Sequence, residues 1–336
     1  MSEPLPAPGS RLPGLIDLAA ARVGGRAVAA NDDFFAPKEN LLQPGRGVFV
    51  EGRYTDRGKW MDGWETRRRR EPGYDWCVVR LGIPGVIRAV TVDTNHFRGN
   101  FPESCSLDAA AAEDDPTANA VAGLPWREIV PRTRLEGHAE NRFGVTDAAR
   151  ATHVRLNIFP DGGVARLRIW GEARPDWRAL RAAGQPVDLI AAAHGGVPLA
   201  ASDEFFSEPL NLLMPDTPAD MSDGWETRRR RGPGHDWVII RLGHRGVPSA
   251  LEVDTTHFKG NFPDGASLEG CDAPDAPPER APGPEAGWRE LLPRTKLRAD
   301  ARHRFDLSAA AAISHVRLNI YPDGGVARLR LYGEPA

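Results

Sequence analysis

The sequence predicts an all-β chain built as two tandem antiparallel sandwiches of jelly-roll type. Three observations predict it. The first is a long internal repeat: Asp62 to Pro102 recurs without a gap as Asp223 to Pro263, identical at 28 of 41 positions. His153 to Gly171 recurs as His315 to Gly333, identical at 16 of 19. The period of about 161 residues lies far above the ~20–50 of solenoid repeats, so each copy is a whole domain. The second observation is period-two alternation. His153, Arg155 and Asn157 alternate with Val154, Leu156 and Ile158, and Val164 to Trp170 alternates in the same way. Such alternation marks half-buried strands. The third is punctuation: 35 glycines and 30 prolines, about 19% of the chain against about 12% on average, suit short strands between turns better than long helices.

The elements follow in order. Asp33-Phe34-Phe35 opens the first copy and Glu204-Phe205-Phe206 the second. The first copy then carries ten extra residues within Gln43 to Lys59, a Gly- and Arg-rich stretch that reads as a loop. Trp237 to Leu242, Ala250 to Thr255 and Trp288 to Leu292 are further short strands. Trp126-Arg127-Glu128 and Pro131-Arg132-Thr133 echo Trp288-Arg289-Glu290 and Pro293-Arg294-Thr295. Pro-Asp-Gly-Gly (Pro160 to Gly163, Pro322 to Gly325) reads as a hairpin turn whose glycines permit positive φ. Ala173 to Pro186, with flanking prolines and a short helix-like centre, is the boundary, giving domains 1–174 and 175–336.

Composition excludes several function classes. The net charge is −3, so no global basic field invites nucleic acid. Hydrophobic content of 41% with 26% charged residues is enough for real cores and argues against disorder. Three cysteines without a C-x-x-C give neither a disulfide framework nor a zinc site and fit a reducing, cytoplasmic location. MSEPLPAPGSRLPG lacks the apolar core of a signal peptide, and no run of ~18 apolar residues is long enough to span a membrane. P-loop, dinucleotide-glycine and G-x-S-x-G patterns are missing, which argues against a nucleotide cofactor and a serine-hydrolase mechanism. No cofactor is predicted; a divalent metal held by residues distant in sequence stays open. Broad sandwich faces make a homo-oligomer plausible, without setting its size.

Three segments hold the candidate chemistry. His153, Arg155 and Asn157, with His315, Arg317 and Asn319, share one strand face: an imidazole, a cation and an amide, which together suit a small polar anion. A solvent-facing polar strand explains the same pattern. Asp93 to Pro102 and Asp254 to Pro263 pack Asp, His, a cation and Asn into ten residues, and a His beside an Asp is a plausible acid–base unit. An Asx-type turn before a core His-Phe pair is the structural alternative. In DGWETRRRR, Glu65 and Glu226 are candidate general bases or Arg partners. Alternate arginines are expected to pair with carboxylates while one or two face a ligand. Tyr74 in one copy stands against His235 in the other, the clearest polar asymmetry between the two cores.

The strings DGWETRRRR…GHDW, D-T-x-H-F-[KR]-G-N-F-P, W-R-E-L-L-P and H-V-R-L-N-I-Y-P-D-G-G-V-A-R-L-R, in this order and in duplicate, resemble the allantoicase family from about residue 30 to 334. The resemblance implies two jelly-roll domains of the galactose-binding-like type. It also implies hydrolysis of allantoate to (S)-ureidoglycolate and urea, a step of allantoin and purine degradation. The partner would then be a small ureido acid. The residues suit it: the carboxylate wants an arginine fork, and the ureido arms want mixed donors and acceptors. The alternative is a non-catalytic tandem sandwich that binds a carbohydrate or small anion, because the fold alone does not settle function.

For the site, the three segments of each copy are expected to converge. In the second copy His257, Asp254 and Glu226 would do the chemistry, while Arg228, His235, Lys259, Asn261, His315, Arg317 and Asn319 bind substrate. Arg317 would hold the carboxylate, His257 would carry protons, and Asp254 would orient it. In the first copy the equivalents are His96, Asp93 and Glu65 with Arg67, Asn100, His153, Arg155 and Asn157. The opposing expectation is that these residues bind one another and hold the sandwich together.

Overall fold

The computed structural model describes residue 12 and residues 14–112, 120–308 and 311–336. The N-terminal segment weighed above as a signal peptide lies outside the described residues apart from Leu12 and Gly14. The chain divides into two compact units between Arg174 and Pro175.

One long strand organises each unit. In the first it is Asp75–Asp93, 19 residues with buried and half-exposed side chains alternating along its first half. That first half pairs with Arg26–Ala30 on one side and Arg150–Phe159 on the other, both antiparallel. Ser104–Ala110 and then Arg127–Arg134 extend this sheet. The second half pairs with Arg166–Ala173 and Glu140–Gly144, and Ile16–Asp17 completes that sheet beyond Arg166–Ala173. The strand therefore belongs to five-stranded pairing at one end and four-stranded pairing at the other. The change comes where Leu81 to Pro84 slip out of register opposite Arg150–Phe159. Gly82 fits there because a Cβ would stand 2.3 Å from the Val23 carbonyl oxygen.

The second unit repeats the strand order around Asp236–Asp254, with Val197–Ala201, Ile313–Tyr321, Gly265–Cys271, Arg289–Lys296, Arg302–Asp306, Arg328–Pro335 and Val187–Asp188. Both units are jelly-roll sandwiches, as the alternation indicated. The core between the sheets is aliphatic, with Val79, Val90, Leu107, Leu156 and Leu167 fully buried in the first unit. Trp64 and Trp225 are also fully buried, and each indole N–H donates to a backbone carbonyl, that of Asp32 (2.8 Å) or Asp203 (2.9 Å). Truncating either to Ala is expected to cost about 3–5 kcal/mol.

Two local expectations are corrected. Trp237 to Leu242 and Ala250 to Thr255 are the two halves of one bent strand, not separate strands. Gly243 hid this from a strand reading; it is small because the His194 carbonyl oxygen lies 2.0 Å from where its Cβ would be. Pro-Asp-Gly-Gly is not a hairpin either. The strands before and after it do not pair with each other; each pairs with a different half of Asp75–Asp93, so the segment crosses from one sheet to the other. The positive φ foreseen is present at Gly162 (138°) and Gly324 (129°). At the start of the second unit, Trp177–Ala182 is a six-residue helix capped by Asp176, whose carboxylate accepts from the Ala179 N–H at 2.9 Å. The Gln43 to Lys59 insertion is loop except for Tyr54–Thr55 against Gly58–Lys59.

Candidate active site

The DGWET segment is held in place by the sheet-to-sheet crossover. Trp64–Glu65 pairs with Gly163–Val164, and Glu65 also bridges to Ala36. The Gly162 N–H donates to Thr66 Oγ1 at 3.1 Å, and the Arg69 N–H donates to Asp161 at 2.8 Å. Gly163 must be glycine: a Cβ would sit 1.9 Å from Cε1 of the buried Phe97. Phe97 belongs to the Asp93 to Pro102 loop, so this contact brings that loop against the crossover. From the same loop, Asn100 Nδ2 donates to Glu65 Oε1 at 2.7 Å.

The arginine run then splits by direction. Arg67 Nε donates to Asp32 at 3.1 Å and Arg69 Nη1 donates to the buried Asp75 at 2.7 Å. Alternation along extended chain leaves Arg68, between them, on the other side. Arg68 lines a cavity of about 470 Å³ with Glu65, Asn100, Glu103, Arg134 and Phe35. Among the described residues neither Arg68 nor Arg134 has a carboxylate within ion-pairing distance. Burial pushes the Glu65 carboxyl above its ordinary value, and the Asn100 hydrogen bond only partly opposes this. The cavity therefore offers two uncommitted guanidiniums for an anion, a carboxyl disposed to hold a proton, and an amide. Among the described residues no three His, Cys, Asp or Glu side chains are grouped so as to hold a metal ion. The cysteines are free and buried, and burial pushes the thiols of Cys105 and Cys271 up to about 12 and about 11, far from a nucleophilic thiolate.

The second unit repeats the scaffold. Asn261 Nδ2 donates to Glu226 Oε1 at 2.5 Å, Arg228 pairs with Asp203 at 2.9 Å, and Arg230 pairs with Asp236. Asn261 Nδ2 also meets Met221 Sδ at 3.7 Å. Asp264 and Lys296 take the places of Glu103 and Arg134, and they form an ion pair at 2.5 Å.

The other residues singled out in the sequence lie elsewhere. Asp93 accepts from Arg46 (2.8 and 2.9 Å) and from the Asn95 N–H (2.9 Å). His96, at φ +66°, takes His138 as acceptor for its N–H at 2.9 Å and lies 5.7 Å from the Phe49 ring of the insertion. Asp254 is held by the Thr256 N–H (2.8 Å) and Arg302 (3.2 Å). His257, at φ +71°, gives its backbone N–H to Asp300 (2.8 Å) and its Nε2 meets the Pro218 carbonyl (2.9 Å). The Asp254–His257 unit expected from the sequence is thus not formed, because both members are committed to loop-holding bonds. Lys259 is well exposed, 4.0 Å from Asp300.

The polar strand faces do not line the cavity. Arg155 and Asn157 both donate to Asp108, at 2.9 and 2.8 Å, and Arg155 lies over Trp126. Arg317 lies over Trp237 with Nε 3.9 Å from Glu269, and Asn319 donates to Ser267 (3.2 Å) and Glu269 (3.0 Å). His235 Nε2 meets Asn319 Oδ1 at 3.2 Å, and its ring lies tilted 4.7 Å from that of Tyr321; Tyr74 lies tilted 5.0 Å from Phe159 instead. His153 and His315 are buried, with Nδ1 against Thr152 (2.8 Å) and Ser314 (2.9 Å). Of the three segments, the structure brings together DGWET and the Asp93 to Pro102 loop, through Glu65 and Asn100; the strand face stays apart. Arg67 and Arg228 serve carboxylates of their own units, whereas Arg68 and Arg134 had not been singled out. For Arg68 the signal was in the run itself, since alternation allots the even position to the side opposite the paired arginines. Nothing in the sequence marked Arg134 except its replacement by Lys296.

A family model described as the allantoicase repeat matches residues 16–174 and 187–336. The chain is 49% identical to a probable allantoicase of Pseudomonas paraeruginosa, over 95% of this chain and 96% of that one. It is 47% identical to probable allantoicase 1 of Burkholderia mallei, over 95% and 94%. The crystal structure of allantoicase from Saccharomyces cerevisiae superposes with a TM-score of 0.80 at 34% identity, over 96% of this chain and 93% of that one. With both repeats matched and relatives aligned along nearly their whole length, the chain belongs to the allantoicase family.

Proposed function

We propose that this chain hydrolyses allantoate to ureidoglycolate and urea in the cavity of its first unit. The observation that carries the reading is Glu65: a carboxyl raised by burial, bonded to Asn100, in a cavity with two unpaired arginines. Allantoate is an anion with two ureido arms on one carbon. Arg68 and Arg134 bind its carboxylate by charge-assisted hydrogen bonds. Glu103 and the carbonyl side of Asn100 accept from ureido N–H groups.

Glu65 then works in both directions. As the acid it gives its proton to the departing ureido nitrogen while the C–N bonding pair moves onto that nitrogen. As the carboxylate it takes a proton from the water whose oxygen bonds to the central carbon, which regenerates the acid. The cycle balances with the C–N bond breaking first: the lone pair of the remaining ureido nitrogen stabilises the central carbon as an iminium, and water then adds to that carbon as Glu65 takes its proton. A bound anion nearby raises the Glu65 carboxyl further, so substrate itself favours the acid form. A carbohydrate-binding module has no use for a carboxyl disposed in this way. No described helix is long and apolar enough to cross a membrane. A cytoplasmic location accords with free, buried cysteines.

The test is urea release from allantoate by the purified chain, followed for the wild type and for Glu65→Gln. Release by the wild type with a loss of about 10²–10⁴-fold in the variant supports the reading; a folded wild type that releases no urea overturns it.

A further inference from the structure

We infer that only the first unit turns substrate over, and that the residues at positions 103 and 134 decide this. The assignment rests on the allantoate reaction proposed above and names which copy performs it.

The two units are the same where the scaffold is concerned. Ser104 lies opposite Arg134 in the strand register, and Gly265 lies opposite Lys296. The Leu135 N–H donates to the Glu103 carbonyl at 3.0 Å, and the Leu297 N–H donates to the Asp264 carbonyl at 3.0 Å. The side chains at these positions therefore start from equivalent backbone. What differs is what they do. In the first unit Arg132 Nε donates to Ser104 Oγ at 2.8 Å. That keeps one cation away from Glu103, and Arg134 faces the cavity without a carboxylate partner among the described residues. In the second unit Gly265 has no hydroxyl to offer. Arg294, the counterpart of Arg132, reaches Asp264 at 3.5 Å, and Lys296 reaches it at 2.5 Å.

Three consequences follow for an anionic ureido acid. Lys296 has no planar fork to grip a carboxylate through two parallel bonds, whereas Arg134 does. Lys296 is also already neutralised by Asp264, so a substrate carboxylate would have to compete with it. Finally, the amide that would meet a ureido group is more fully used. Asn261 Nδ2 serves both Glu226 and Met221 Sδ, whereas Asn100 Nδ2 serves Glu65 alone among the described residues, leaving one N–H for ligand. The Asp264–Lys296 pair is exposed, with Lys296 80% accessible, so it contributes little to stability and its removal leaves the fold intact.

The experiment uses the full chain. Glu103→Asp together with Arg134→Lys gives the first unit the side chains of the second. Lys296→Met breaks the second unit's pair. Urea release from allantoate is measured for both, with thermal melts to establish folding, and allantoate binding to Glu65→Gln is titrated for stoichiometry. The double variant is expected to lose about 10–100-fold in kcat/KM, mainly through KM, the loss that follows from weakening a charge-assisted carboxylate contact. Lys296→Met is expected to keep the wild-type rate, and Glu65→Gln to bind one allantoate per chain. An active wild type whose double variant keeps its kcat/KM, a comparable loss in Lys296→Met, or two allantoates bound per chain each overturns the assignment while leaving the reaction standing. A wild type that releases no urea removes the reaction, and the assignment with it. Should the double variant melt at low temperature, the binding stoichiometry and the Lys296→Met rate decide alone.

Discussion

Asn100 donates to Glu65 across 2.7 Å, and this bond ties together two loops that are 35 residues apart in sequence. Its twin, Asn261 to Glu226, ties the same two loops in the second unit. The bond has two effects. It fixes the carboxyl geometrically, because one of its oxygens is held by the amide. It also favours the ionised form, although less than burial disfavours it. A carboxyl balanced in this way can both hold a proton and release it.

Glu65→Gln tests that balance through stability as well as rate. The folded-state carboxyl binds its proton more tightly than the unfolded one, whose ordinary value is 4.5. The contribution of the acid form to stability is therefore complete below about pH 4.5 and is lost as pH rises through the higher folded value. Gln has no such loss. The melting temperature of the variant is expected to match the wild type in acid and to exceed it near neutrality, while urea release is nearly abolished. A variant that is less stable at every pH would show Glu65 to be a structural partner and not an acid held for function.

Arg68→Ala separates binding from folding. The side chain is exposed, faces the cavity, and has no ion-pair partner among the described residues, so its removal is expected to move stability by no more than about 0.5 kcal/mol. The loss of one charge-assisted contact to a carboxylate is expected to lower kcat/KM by about 10–100-fold. Arg67→Ala is the informative neighbour: it breaks the exposed Asp32 pair and should leave KM nearly unchanged. Initial rates across a range of allantoate concentrations distinguish the two; equal KM effects would remove the assignment of Arg68 to the cavity.

How far the sequence could be read depends on the range of the physics involved. The strand alternation is local, so the all-β class and the two repeated sandwiches were legible. The crossover at Pro160 to Gly163 was misread because a hairpin and a sheet-to-sheet crossing need the same positive-φ glycine; only the pairing partners of Asp75–Asp93 tell them apart. Glu65 and Asn100 stand within duplicated polar loops, and the structure brings these two side chains together. Asp254 and His257 looked like an acid–base unit because they are three residues apart, yet Thr256 and Arg302 take the carboxylate and Pro218 takes the imidazole. Whether a polar side chain serves a ligand or a neighbour depends on residues dozens of positions away: Asp108 holds Arg155 in this way, and Glu269 takes the amide of Asn319.

Gly163→Ala probes the contact that joins the two loops. Its added Cβ would stand 1.9 Å from Phe97 Cε1 and 2.1 Å from Cδ1, and Phe97 is wholly buried, so the ring has nowhere to retreat. The expected cost is about 1–3 kcal/mol, as for overpacking elsewhere. Because the Gly163 N–H donates to the Asn100 carbonyl at 2.8 Å, the shift should also displace Asn100 from Glu65 and lower kcat more than KM. Gly232→Ala is the control: its Cβ meets nothing within 4 Å, so it should leave the denaturant midpoint unchanged or slightly raised.

His315 sets an expectation for acid stability. The imidazole is buried, Nδ1 lies 2.9 Å from Ser314 Oγ, and Nε2 has no hydrogen-bond partner among the described residues. Burial first, and then the nearby Arg241 charge, push it down to about 4 from an ordinary value of 6.5, against the pull of Asp272. Between those two values the unfolded chain binds a proton that the folded chain refuses. Stability therefore falls as pH drops from about 6.5 to about 4, and is unaffected by this group above 6.5. Gln at this position keeps a polar side chain beside Ser314 but carries no titrating ring. Urea-denaturation midpoints for His315→Gln are expected to decline less steeply than the wild type's across that window, whatever their offset at neutral pH. Parallel slopes for the two proteins would mean that the buried ring accepts its proton without opening the strand, and that the acid sensitivity of the second unit has another source.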